Sequence, residues 1–215
     1  MNSPSGTSRI LDVPYFVQPT GITCQSTCLK MMATYLERAI VLRSTGAAAR
    51  DIHTIWKDVN ESPDRPSPAR NAHVNLKWWL EQYFPDLIFR YQSTADEAAA
   101  LERIVACIDD RVPVLMSVSH ARVAGHIVLV IGYEGYVRGQ SSAEFSLVVH
   151  DPYGRFDPML LSDAYGARRT EGGQSLISGG ESGPGKACRV PVTSASRQRI
   201  GDARRGTYYL LYAAR

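Results

Sequence analysis

The hydrophobic pattern changes period part-way along the chain, and that change limits the fold more than any other feature. Up to about residue 109 most apolar residues recur at helical spacing. After residue 111 they come in short continuous runs divided by turn residues. The first pattern belongs to amphipathic helices and the second to strands. Helices followed by mostly consecutive strands predict an α+β fold, with the helices on or beside an antiparallel sheet.

Thr23 is placed to cap a helix running from Cys24 to about Ala39. Cys24, Cys28, Met31 and Tyr35 share one face of it, and Leu29, Met32 and Leu36 widen the stripe. "AAARDIHTIWKDV" predicts a second helix with Ile52, Ile55, Trp56 and Val59 on one side. "NESPDRPSPARN" reads as a loop, and "HVNLKWWLEQYF" as a third helix ended by Pro85. "DLIFRYQ" reads as a strand. Thr94 and Glu97 make a capping box for a helix carrying Leu101, Ile104, Val105 and Ile108. The strands that follow are "RVPVLMSVS", "GHIVLVIGY", "EFSLVVHD" and, at the end, "TYYLLYAA". Trp56, Trp78 and Trp79 sit on helical patterns with apolar neighbours and are expected in the core rather than in a ligand cage.

The expected organisation is a polar, disordered stretch over residues 1–10 and a single domain over residues 11–215. That domain carries a Gly/Ser/Arg-rich insertion at about 155–205, including "EGGQSLISGGESGPG", which is either a mobile segment or a functional flap. A length of 215 residues suits one domain, and 44% hydrophobic with 21% charged residues supplies a core without a disulfide scaffold. The four cysteines, Cys24, Cys28, Cys107 and Cys188, are too scattered for a disulfide framework, so reduced thiols are expected.

No apolar stretch at the start has the length of a signal peptide, and none elsewhere has that of a membrane span. A cytoplasmic protein, or one exported without a cleavable signal, is expected. The 24 Lys+Arg and 21 Asp+Glu are unevenly spread, with ten of the former and five of the latter in residues 155–215. Such a basic tail suits a solvated surface or an anionic partner such as cell wall. It lacks the aromatic-interleaved motif of a nucleic-acid module, so no nucleic-acid partner is expected.

The stretch "VQPTGITCQSTCLKMM" carries the candidate chemistry. A free thiol has a pKa of about 8.5 and is mostly protonated at neutral pH. A helix N-terminus and a nearby imidazolium both lower that value. Cys24 stands in the first turn of the predicted helix, whereas Cys28 is one turn deeper, where burial raises a thiol pKa. Cys24 is therefore the candidate nucleophile and Cys28 a core residue. Of the histidines, His53 and His73 lie in the helical half, and His120, His126 and His150 at strand ends. His126 opens "GHIVLVIGY" and is the candidate base. Asp151, ending the next strand, is placed to orient its ring. His150 is a rival base that strand alternation turns away from Asp151. The Cys24 backbone N–H and the Gln18 side-chain amide are candidate oxyanion donors. Cys24, Cys28, His126 and His150 are also zinc-ligand types. A lone Cys-x3-Cys without a compact second pair is a weak metal signal, so no metal or cofactor is expected.

"VPYFVQPTGITCQSTCLKMM", "GHIVLVIGY" and "HDPYG", in that order, resemble the papain-like cysteine peptidases. The branch they resemble is the one typified by bacterial double-glycine leader peptidases (cysteine peptidase family thirty-nine) and their free-standing relatives. The resemblance covers roughly residues 11–155 plus a final strand. It implies a papain-like fold, with a nucleophile-bearing helical half packed against an antiparallel sheet. It also implies Gln18 as oxyanion donor, Cys24 as nucleophile, His126 as base and Asp151 as orienter. Relatives commonly place Gly-Pro directly after the cysteine; here Gln25 and Ser26 stand there. These two residues, with Gly125, are the candidate substrate contacts. The implied activity is thiol-dependent cleavage of peptide or amide bonds by a bacterial protease. Alternatives with the same triad are a peptidoglycan-peptide amidase exported as an antibacterial effector, and an acyltransferase. The non-enzyme alternative is an inert binding module. The implied partner is a peptide, protein or peptidoglycan-peptide substrate, joined by a cognate inhibitor or immunity protein in the effector case.

Overall fold

Four amphipathic segments form the helical half: α1 (Cys24–Leu36), α2 (Ile52–Glu61), α3 (His73–Tyr83) and α4 (Glu97–Asp109). The computed structural model describes residues 6–118, 125–139, 144–154, 170–171, 174–175, 185–194, 196–201 and 207–214. In α1, Cys28, Leu29, Met31, Met32 and Leu36 are fully buried, so this helix is the centre of the core rather than its cover. It continues as a π-helical turn over Glu37–Val41, two residues past the expected end, and stops where Leu42 turns left-handed at φ 54°.

The caps differ from those expected. Thr23 is the N-cap of α1, but its hydroxyl donates to the Thr20 carbonyl at 3.0 Å instead of accepting from the helix. The tight turn before the helix claims it. Helix α2 starts at Ile52, because the Asp51 carboxylate accepts the Thr54 N–H at 2.9 Å. Helix α4 is capped by Asp96, which accepts the Ala99 N–H at 3.0 Å, rather than by Thr94. Thr94 instead accepts the Asp96 N–H at 3.1 Å, one step outside the helix.

The strands are β1 (Thr7–Ile10), β2 (Ile88–Thr94), β3 (Val114–Val118), β4 (His126–Tyr136) and β5 (Phe145–His150). They continue with a small hairpin of β6 (Thr170–Glu171) and β7 (Gln174–Ser175), then β8 (Cys188–Val192), a short helix α5 (Arg197–Ile200) and β9 (Tyr208–Ala214). Seven of them make one antiparallel sheet in the order β2-β9-β3-β4-β5-β8, with β1 added on β4. The fold class is α+β.

Two expectations about organisation change. Residues 7–10 are not disordered: they pair with β4, Arg9 opposite Tyr133 and Ile10 opposite Gly132. Backbone pairing needs no apolar pattern, but it needs room. A Cβ on Gly132 would sit 2.5 Å from the Arg9 carbonyl oxygen, so the glycine permits the approach. Residues 1–5 lie outside the described residues. The stretch at about 155–205 is not all insertion, because β8 within it pairs with β5 along Phe145–Val149. Residues 155–169, 172–173, 176–184, 195 and 202–205 of that stretch lie outside the described residues, and so does His120.

The layers set up the site. Helix α1 packs on β4, and the Cys28 thiol lies 3.4 Å from the Ile127 carbonyl oxygen, which fixes the start of the helix over the start of the strand. Strand β5 runs antiparallel to β4 with His150 opposite Leu129, bringing the end of β5 back beside the beginning of β4. The N-terminus of a helix and the ends of two strands therefore meet at one edge of the core. No helix among the described residues is long and apolar enough to cross a membrane.

Candidate active site

Cys24, His126 and Asp151 come together where α1 begins, β4 begins and β5 ends. His126 and Asp151 are buried, and the ring Nε2 lies 2.7 Å from Asp151 Oδ1. That bond commits Nε2 to the carboxylate and leaves Nδ1 as the ring nitrogen for the thiol. The His126 side chain and Cys24 are hydrogen-bonded.

The electrostatics are a contest between burial and pairing. Burial alone would raise the Cys24 pKa. The hydrogen bond and charge of His126 oppose it, aided by the backbone N–H groups of Ile127 and Gln25, and the net shift is downward. Burial alone would likewise lower the His126 pKa. The charge and hydrogen bond of Asp151, then those of Cys24, override it and lift it to about 10. Each of the two groups thus favours the charged form of the other. Cys28 behaves in the opposite way: burial first, then the charges of Cys24 and Asp151, push its pKa up, so it stays a neutral packing group.

Asp151 is held from several sides. Its Oδ1 also accepts the Tyr153 N–H at 2.9 Å, and its own N–H donates to the Gly185 carbonyl at 2.9 Å. The Tyr15 hydroxyl donates to its carbonyl oxygen at 2.9 Å. Oδ2 is buried without a hydrogen-bond partner among the described residues. The Tyr153 ring meets the His126 ring edge-on at 6.1 Å.

Gln18 is buried. Its backbone N–H donates to the Pro152 carbonyl at 2.9 Å, tying the segment before the nucleophile to the turn after Asp151. Its side-chain Nε2 donates to the Thr20 carbonyl at 2.6 Å, which sets the plane of the amide inside the turn leading to Cys24. His150, the rival base, points away from this group. Its Nε2 donates to the Val13 carbonyl at 3.0 Å and its Nδ1 accepts the Ala187 N–H at 3.0 Å, a fully bonded neutral ring. Burial first, then the charge of Lys186, outweighs the hydrogen bond to Val13 and lowers its pKa to about 4.

The thiol opens onto a cleft of about 480 Å³. Gln25 and Gly125, two of the candidate substrate contacts, line it. Ser26 does not: it is fully buried, and its hydroxyl donates back to the Thr23 carbonyl at 3.1 Å. The reason is helical geometry, which turns the second residue after Cys24 inward. Gln25 Nε2 donates to the Asn71 carbonyl at 3.1 Å, joining α1 to the loop before α3.

Several lining residues escaped sequence reasoning: Ile22, Arg70, Asn71, His73, Ser117 and Tyr209. His73 hydrogen-bonds Ser117 Oγ through Nε2, and its ring lies 5.4 Å from Tyr91 and 5.3 Å from Tyr209, nearly parallel to both. These groups come from α3, β3, β2 and β9 and share no local motif. Among the described residues no group of three or more His, Cys, Asp or Glu side chains is arranged to hold a metal ion. Trp79 is buried, with Nε1 donating to Asp58 Oδ2 at 3.2 Å, and Trp56 and Trp78 are partly buried.

The model of the Peptidase_C39 like family matches residues 10–165. Among solved structures the chain is similar to that of UfSP from C. elegans, with a TM-score of 0.52 and 12% sequence identity. The likeness covers 98% of this chain and 34% of that one, so the chain spans about a third of that protein's length. At this identity the likeness is one of fold, and the fold is papain-like. No curated protein matches the chain.

Proposed function

The chain belongs to the Peptidase_C39 like family, a cysteine-peptidase family, and we propose that it cleaves peptide or amide bonds with Cys24, His126 and Asp151 as its catalytic triad. The observation that carries this reading is the buried His126 ring, held by Asp151 at 2.7 Å and hydrogen-bonded to a Cys24 thiol of lowered pKa beside an open cleft.

The Cys24 thiolate attacks the substrate carbonyl carbon, forming a C–S bond as the carbonyl oxygen takes the negative charge. The Cys24 N–H has no intrahelical acceptor, being in the first turn of α1. It receives the oxyanion together with a Gln18 Nε2 N–H. Collapse breaks the C–N bond, and the His126 imidazolium protonates the leaving amine. His126, now neutral, takes a proton from water, the resulting hydroxide attacks the thioester, and the thiolate is released. Asp151 keeps the ring in place and stabilises its charged form throughout.

The test is cleavage of a peptide library by the native protein and by Cys24→Ala and His126→Ala, read by mass spectrometry of new amines. Loss of cleavage in both variants, with an acyl adduct on Cys24 of the native protein at short times, is expected. Undiminished cleavage in either variant overturns the mechanism. Running cell-wall sacculi and a protein substrate in parallel separates a peptidoglycan-peptide amidase from a protein-directed peptidase. Adding amine acceptors reveals a transferase by ammonia release without cleavage.

A further inference from the structure

The ionisable groups lining the cleft are Cys24, Arg70, His73, His126 and Tyr209, and no Asp or Glu stands among its described lining residues. Arg70 is the one with a permanent positive charge. Several arginines elsewhere on the surface are neutralised. Arg38, Arg50, Arg138 and Arg189 are each paired with a carboxylate at 2.8–2.9 Å. Arg70 has no carboxylate partner among the described residues. Its guanidinium lies instead 5.9 Å over the Trp56 ring. An aromatic face holds a guanidinium in place without neutralising it or consuming its fork of donors.

The backbone beneath Arg70 is fixed relative to the nucleophile. Asn71 is left-handed at φ 62°, its N–H donates to Asn60 Oδ1 at 2.8 Å, and its carbonyl accepts Gln25 Nε2 at 3.1 Å. Gln25 directly follows Cys24, so one side-chain amide sets the spacing between the thiol and the arginine loop. A peptide seated for attack on its carbonyl would occupy the cleft that Arg70 lines.

We propose that Arg70 selects peptides carrying a carboxylate close to the scissile bond, a substrate class that rests on the peptidase reading above. An acidic side chain or a free C-terminal carboxylate gains a bidentate partner there, and a lysine in the same place is repelled.

The test uses fluorescence anisotropy on the full-length Cys24→Ala protein, so that binding is read without turnover. The probes are peptides of one core sequence with Glu, Gln or Lys placed in turn at each position around the cleaved bond. Each is made with a free and an amidated C-terminus, which separates the two sources of carboxylate. Glu-bearing or free-acid peptides are expected to bind about fivefold tighter than their Gln or amide counterparts. A second substitution, Arg70→Ala, should bring that ratio close to one, and Arg70→Glu should reverse the order of Glu and Lys. Arg38→Ala, a surface charge outside the cleft, should leave the ratio as it was. Equal binding of Glu and Gln peptides, a ratio that survives Arg70→Ala, or no binding of any probe would each overturn the proposal. If the binding preference is present and the native protein cleaves none of the peptides, the peptidase reading falls and the selectivity of Arg70 stands.

Discussion

Gly185 packs against the backbone of Asp151. Its carbonyl accepts the Asp151 N–H at 2.9 Å, and a Cβ built on it would lie 1.9 Å from the Asp151 carbonyl oxygen and 2.3 Å from that of Gly154. Both neighbours are backbone, so neither can swing aside as a side chain would. The last glycine of "EGGQSLISGGESGPG" is thus a wall of the turn that holds the His126 partner.

Gly185→Ala should displace that turn. Overpacking of this kind costs about 1–3 kcal/mol of stability. The displacement also lengthens the Asp151–His126 bond, so kcat/KM should fall by more than the loss of folded protein explains. Thermal unfolding and initial rates on the folded fraction measure the two effects separately. Native values of both would show that the turn accommodates the methyl group.

Thiol chemistry should separate the cysteines sharply. The Cys24 pKa is held below its ordinary value by His126 against the effect of burial, whereas burial pushes Cys107 up to about 12. At pH 7 iodoacetamide should modify Cys24 at least tenfold faster than Cys107, on the thiolate fraction and the exposure of each. His126→Ala should slow the Cys24 reaction and move its pH midpoint upward, because the opposing charge is gone while burial remains. Peptide mapping by mass spectrometry over pH 5 to 10 reads both. Equal rates for the two cysteines are what an inert binding module on this fold would give.

Much of the fold was legible because the long apolar runs had a single reading. "GHIVLVIGY" became β4, and the stripe of Cys28, Met31 and Tyr35 became the buried side of α1. Strand β1 was not legible, since "TSRI" is exposed along its length and is held by backbone pairing. Strand β8 was legible in part. Cys188, Val190 and Val192 alternate inward, but Pro191 and the preceding glycines read as loop. Pro191 is tolerated because β8 lies at the edge of the sheet. At the site, Cys24, His126 and Asp151 each sit at the end of a recognisable element, so their meeting follows from topology. Arg70, His73, Ser117 and Tyr209 share the cleft only through tertiary packing, and no spacing in the sequence announces it.

Asp151 acts on His126 in two ways, by orienting the ring and by charge, and two substitutions separate them. Asp151→Asn keeps an oxygen for the Nε2 proton and removes the negative charge. Burial then dominates and the His126 pKa falls from about 10. The alkaline limb of the kcat/KM profile should move to lower pH, with a loss of about tenfold in rate. Asp151→Ala removes the orientation as well and should cost on the order of 10³-fold. Rates from pH 5 to 11 measure the limb. An unmoved alkaline limb in Asp151→Asn would mean that the carboxylate charge does not set the ionisation of His126.

His150 should make the fold sensitive to acid. Its ring bonds the Val13 carbonyl and the Ala187 N–H at 3.0 Å each, so the neutral form is the one that fits. Burial lowers its folded pKa to about 4, from an ordinary 6.5. Between those values the unfolded chain binds the extra proton, so stability rises with pH. The contribution is therefore fully present above about pH 6.5 and is lost as pH falls through about 4. His150→Gln, which carries both a donor and an acceptor and does not titrate, should be less stable than the native chain at pH 8. Between pH 6.5 and 4 it should lose stability with a shallower slope. Urea unfolding at fixed pH steps across this range gives the slopes, and parallel slopes for the two proteins would place the acid sensitivity elsewhere.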